Sequence, residues 1–132
     1  MRGISVSGMA AKGLEKSSGM RSFTLASFKK QITYSDNPDS VLNSNDILVM
    51  DEAWITDTYD MSLVVKLVKV SGAKLVLVGD EAQLQPIGAG APLRALVETV
   101  GFSELSTILR QYDEYDRSAS QKLDRWLIRL CY

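Results

Sequence analysis

The chain has 132 residues, 45% hydrophobic and 23% charged, with a formal net charge of -1 and no histidine. That length suits one globular domain, and the balance excludes default disorder and a strong, sequence-independent grip on nucleic acid. Without histidine, the usual neutral-pH acid/base residue and commonest transition-metal ligand is missing, so any catalysis must use carboxylates, arginine and a hard metal.

In chain order, Gly3 to Met9 is a short mixed run that reads as a strand leading into a helix over Ala10–Glu15, stopped by Ser17-Ser18-Gly19. Thr24 is an N-cap candidate for a second helix, Leu25–Lys30. Within it, Lys29-Lys30 reads as a solvated face. Residues 35–46 are polar and turn-rich, hence loop. Ile47-Leu48-Val49-Met50 is a short continuous apolar run, as expected of a central strand covered on both faces, and it ends in Asp51-Glu52. Leu63, Val64, Leu67 and Val68 recur at helical spacing, and Ser71-Gly72 closes that helix. A second apolar run, Leu75-Val76-Leu77-Val78, ends in Gly79-Asp80. A Pro/Gly loop follows, and Pro92 suits the first turn of a helix over Leu93–Val100. Leu105–Leu109 reads as a last strand ending at Arg110-Gln111, and the charged tail reads as helical through Trp126-Leu127-Ile128. Strands alternating with helices imply an α/β fold with a parallel sheet. No apolar stretch approaches the ~20 residues of a membrane span. Cys131 stands alone, so no internal disulfide forms and a reducing, cytoplasmic setting fits.

The chemistry is concentrated where apolar runs meet acid. Carboxylates at the carboxyl end of a buried parallel strand lie on the rim where open α/β sheets bind ligands. Asp51-Glu52-Ala53 after its strand matches a Walker B box, in which carboxylates hold Mg²⁺ and activate water; the plain alternative is that acids mark where a buried strand reaches solvent. Gln83, after Asp80, can hydrogen-bond a γ-phosphate or an attacking water without adding charge. Arg110 offers a guanidinium fork to a phosphate, against the plain alternative of a surface ion pair with Asp113 or Glu114. Gly8-Met9-Ala10-Ala11-Lys12-Gly13 has the glycine spacing of a phosphate loop, but Leu14-Glu15 stand where Lys-Ser/Thr must be. These 132 residues contain no Walker A motif.

Together these strings resemble the conjugative-transfer relaxase/helicases of the TraA type, whose motor is a RecD-like superfamily 1 DNA helicase. Ser7–Met20 and Thr24–Ser27 are similar to the family's motif Ia region, Asp46–Ala53 to motif II, Ala73–Leu96 to motif III and Leu105–Gln111 to the motif IV strand. The likeness runs from about Gly3 to Leu123, which makes residues 1–123 a partial RecA-like P-loop NTPase domain, lacking the P-loop strand, and 124–132 a divergent tail that reads as a frameshifted or truncated end. The resemblance implies that Asp51 holds Mg²⁺, Glu52 activates water, and Asp80, Gln83 and Arg110 face the ATP phosphates. It places Ser7, Gly8, Thr24 and Ser27 along single-stranded DNA. Trp54 departs from the small residue usual after the acidic box, which bears on how tightly that loop closes.

In motors of this class the P-loop strand lies between the motif III and motif IV strands. Its absence predicts a bare edge on Leu75–Val78, which self-association, direct pairing with Leu105–Leu109, or a second chain carrying the Walker A half would cover. Alternative readings are a Mg²⁺-dependent nuclease or phosphatase site using Asp51, Glu52 and Asp80, or a non-catalytic DNA-binding or assembly remnant.

Overall fold

Alternation between short strands and capped helices sets the architecture. The computed structural model of the chain describes residues 1–35, 41–80, 92–101, 103–105 and 126–131. Its elements are β1 (Arg2–Ser5), α1 (Gly8–Ser18), β2 (Ser22–Thr24), α2 (Leu25–Tyr34), β3 (Ile47–Asp51), a 3₁₀ turn (Ala53–Ile55), α3 (Thr58–Ser71), β4 (Lys74–Asp80), α4 (Pro92–Val100), β5 (Ser103–Leu105) and β6 (Trp126–Cys131).

Caps fix the helix ends. The Ser7, Thr24 and Asp57 side chains accept the N–H groups of Ala10, Ser27 and Asp60 at the starts of α1, α2 and α3. Gly19 and Gly72, both left-handed, close α1 and α3. The glycine-spaced segment Gly8–Gly13 is the body of α1, not a phosphate loop. No helix among the described residues is long and apolar enough to cross a membrane.

The strand order is β2-β1-β3-β4-β6-β5. The first four strands are parallel neighbours, so the expected α/β fold with a parallel sheet flanked by helices stands. One core fills a single face: Ile4, Leu48, Met50, Leu75 and Leu77 from the sheet meet Leu25 and Phe28 of α2, Met61, Val64 and Leu67 of α3, and Leu93 of α4. Lys29 of α2 also bonds Asp60 of α3, and that carboxylate holds the Lys29 ammonium above its usual range. On the opposite face α1 crosses β1 at Gly3, where any side chain would strike Leu14 and Ser22. Ala11 and Val49 are buried but lie outside the larger cluster.

Three findings correct the expectations. Ser22-Phe23-Thr24 is a strand that no apolar run announced. Val41 and Leu42, within the predicted loop, are buried in the core. The tail is not helical: β6 pairs antiparallel with β4 from Leu75 to Asp80, and with β5 on its other side. It therefore occupies the flank of β4 that was expected to be bare. The pairing satisfies backbone groups that an exposed edge would leave open. Of the last predicted strand, Leu105–Leu109, Leu105 is described and belongs to β5 (Ser103–Leu105); residues 106–110 lie outside the described set.

Candidate functional site

From β1 the chain runs through α1 to β2 on one side, then back across β1 to β3 and on to β4 on the other. Because α1 lies on one face while α2 and α3 lie on the opposite one, the loops after β1 and β3 part in opposite directions. A crevice outside the carboxyl ends of the strands, at such a reversal of strand order, is where open α/β sheets bind ligands.

The crevice between β1 and β3 is built from few residues. Thr24, Ser5 and Asp51 stand in register across β2, β1 and β3. Ser5 is fully buried, and its hydroxyl donates to Glu52 Oε2 at 3.2 Å. The Glu52 backbone N–H donates to Asp51 Oδ1 at 3.0 Å. Glu52 has φ 55° and ψ 37° and is the one described residue other than glycine with positive φ. A left-handed turn at a bulky residue costs roughly 1–2 kcal/mol and is a feature concentrated at functional sites. It turns the chain abruptly from β3 into the 3₁₀ turn and leaves both carboxylates half-exposed on the rim.

On the same rim, Ser7 and Gly8 open α1 while Thr24 and Ser27 open α2. A β-carbon at Gly8 would lie 3.9 Å from Thr24 Cγ2, so the two helix starts are neighbours. Neither first turn carries an acid. By contrast, α3 begins with Asp57 and Asp60, which already counter its positive end. Two adjacent, uncountered helix starts suit anionic groups.

Trp54 departs from a small residue, and the structure shows what it does. Its indole covers Gly79 near the end of β4, where any β-carbon would fall 2.4 Å from Trp54 Cδ1. Trp54 Nε1 and Thr56 Oγ1 are buried without a hydrogen-bond partner. The turn after β3 is thereby packed against the tip of β4.

The structure brings Asp51, Glu52, Ser7, Gly8, Thr24 and Ser27, all named from the sequence, to one rim, and Asp80 ends β4 on the same side of the sheet. Gln83 and Arg110 lie outside the described residues. Ser5 was missed: a serine inside a short mixed strand carries no signal until its neighbours across the sheet are known. Among the described residues no three metal-ligating side chains cluster. The donor set is thus one carboxylate with an adjacent acid, which fits a hard cation that keeps most of its water, as Mg²⁺ does, and does not fit an all-protein cage.

Comparison with known proteins shows what the whole chain is similar to. A family model described as an AAA domain matches residues 1–126. The chain is 43% identical over 123 residues to "Conjugal transfer protein TraA" of Agrobacterium fabrum, covering 93% of this chain and 11% of that protein. It is 44% identical over 123 residues to the protein of the same name from Rhizobium radiobacter, and 42% identical over 123 residues to "Probable conjugal transfer protein TraA" of Sinorhizobium fredii, with the same coverage, 93% and 11%. The chain spans about 11% of the length of these relatives. No solved structure matches.

Proposed function

Since the chain belongs to the AAA domain family and is homologous to the TraA proteins of conjugal transfer, we propose that it carries the ATP-hydrolysis and single-strand-contact segments of a RecD-like DNA helicase motor. AAA domains are nucleotide-binding domains in general. The observation that carries the finer reading is the placement of Asp51 and Glu52 at the reversal of strand order, on one rim with two uncountered helix starts.

In this reading Asp51 holds Mg²⁺ through water, the ion supplying charge neutralisation at the ATP phosphates. Glu52, pointed to the rim by its left-handed turn, orients the attacking water and accepts its proton. Asp80, Gln83 and Arg110 face the phosphates: Gln83 senses the γ-phosphate and Arg110 neutralises charge on the transferring group. Ser7, Gly8, Thr24 and Ser27 line the path of single-stranded DNA, whose phosphates meet the backbone N–H groups of α1 and α2. With a net charge of -1, that contact is local and weak on its own.

A Walker A half supplied by a second chain would complete the site by displacing β6 from the flank of β4. The test is a titration with a fluorescent ATP analogue, with and without Mg²⁺, on the chain alone and with a separately made TraA segment bearing the P-loop. Saturable, Mg²⁺-dependent binding that requires the added segment and weakens in Asp51→Asn is the expected result. Mg²⁺-dependent cleavage of a phosphodiester by the chain alone, lost in Asp80→Asn, would replace this reading with the nuclease or phosphatase site.

A further inference from the structure

Ser5 has no part in the proposed hydrolysis, yet its side chain is the one in β1 hydrogen-bonded to the acidic turn. It is a fully buried polar residue, a position normally tolerated only when the hydroxyl is hydrogen-bonded. Its partner comes from 47 residues away: Glu52 Oε2, at 3.2 Å across the crevice between β1 and β3. Glu52 needs such a partner. Its backbone is strained at φ 55°, its N–H is committed to Asp51, and a long, freely rotating side chain on a half-exposed rim has several rotamers open to it.

We propose that Ser5 is a positioning residue that fixes the Glu52 carboxylate at the reversal of strand order. The inference rests on the reading of Glu52 as the water-activating group. The backbone holds the Glu52 Cα by the left-handed turn, and Ser5 holds the far end, so the side chain is fixed at two points. The strand register sets the distance: Ser5 is opposite Asp51, one residue before the glutamate it bonds. Ser5 also lies two residues before Ser7, the N-cap of α1. One short segment thus carries both a hydroxyl for the carboxylate and the opening of the helix proposed to meet nucleic acid.

Three-bond carbon couplings of Glu52 in the isotopically labelled full chain report its rotamer directly. The expected result is one dominant rotamer in the native chain, a preference weakened about fivefold in Ser5→Ala, and its recovery in Ser5→Thr, which keeps the hydroxyl; fivefold corresponds to one hydrogen bond of about 1 kcal/mol. Backbone amide spectra of β3 and β4 check that both variants are folded. A purely space-filling Ser5 predicts an unchanged Glu52 rotamer in folded Ser5→Ala, and that result overturns the proposal, as does a folded Ser5→Thr that behaves like Ser5→Ala. The couplings are read without nucleotide, so failure of the ATP titration would refute the hydrolytic reading and leave this measurement interpretable.

Discussion

β3 and β4 look alike in sequence, each an apolar run that ends in acid, but they leave the sheet by different means. β3 ends in polar contacts: Ser5 bonds Glu52, Glu52 bonds Asp51, and the backbone turns left-handed to keep both acids on the rim. β4 ends under an apolar cover, the Trp54 indole over Gly79, while its outer flank pairs with β6. The lesson is that an acid-tipped strand specifies a place on the rim, and the residues around the tip decide what that place does. The β3 tip is held by polar contacts at some cost in strain. The β4 tip is held by packing.

The largest test removes the feature that belongs to β4 alone. A chain stopped after Leu123 lacks β6 and bares β4 from Leu75 to Asp80. Such an edge invites pairing with a second chain. Analytical ultracentrifugation should show concentration-dependent association absent from the full chain, and at dilutions that keep the truncated chain monomeric amide protection in β4 should fall relative to β3. A truncated chain that stays monomeric with β4 protected would mean that β6 does not support this strand.

Away from the tips the two strands should be equals. Met50 and Leu77 are both buried in the same core, so Met50→Ala and Leu77→Ala should each cost about 2–5 kcal/mol in denaturant titrations, the usual range for such truncations. If one were nearly free, the difference between the strands would begin in the core and the comparison of tips would be misplaced.

The tip of β4 can be tested through its cover. Gly79→Ala puts a β-carbon 2.4 Å from Trp54 Cδ1, and overpacking of this kind costs about 1–3 kcal/mol. In a Trp54→Ala background the same change should cost far less. Equal costs in both backgrounds would show that the indole does not set the limit at Gly79.

These contrasts also show which parts of the molecule can be read from residues. The interiors of β3 and β4, the cap at Thr24 and the glycine stops at Gly19 and Gly72 were read from local chemistry, so most of the parallel half was legible, while the caps at Ser7 and Asp57 emerged with the structure. β2 was not, because Ser22-Phe23-Thr24 has a single apolar residue and is a strand only through its pairing with β1. β6 was misread as helix because a short apolar run at a chain end fits either period, and what makes it a strand is the open flank of β4. At the site, Asp51 and Glu52 were legible as rim acids, while Ser7, Gly8, Thr24 and Ser27 entered through the family resemblance and their place beside the acids did not. The left-handed Glu52 and its bond to Ser5 were not, since glutamate carries no preference for positive φ and the two residues meet only across the sheet.

The smallest effect separates strain from hydrogen bonding at the β3 tip. Glu52→Gly relieves a left-handed backbone that a glycine adopts freely, but it also leaves the buried Ser5 hydroxyl without its acceptor. The relief, reduced by the extra freedom glycine has when unfolded, is worth about 0.5–1 kcal/mol, and an orphaned buried hydroxyl costs about 1–3 kcal/mol. In the native chain the two oppose each other, and Glu52→Gly should be neutral or destabilising. In a Ser5→Ala background there is no hydroxyl to orphan, so the same substitution should stabilise the chain by about 0.5–1 kcal/mol, read as a shifted midpoint at unchanged slope. A loss of stability in both backgrounds would remove strain from the account of β3 and leave its tip, like that of β4, held by contacts alone.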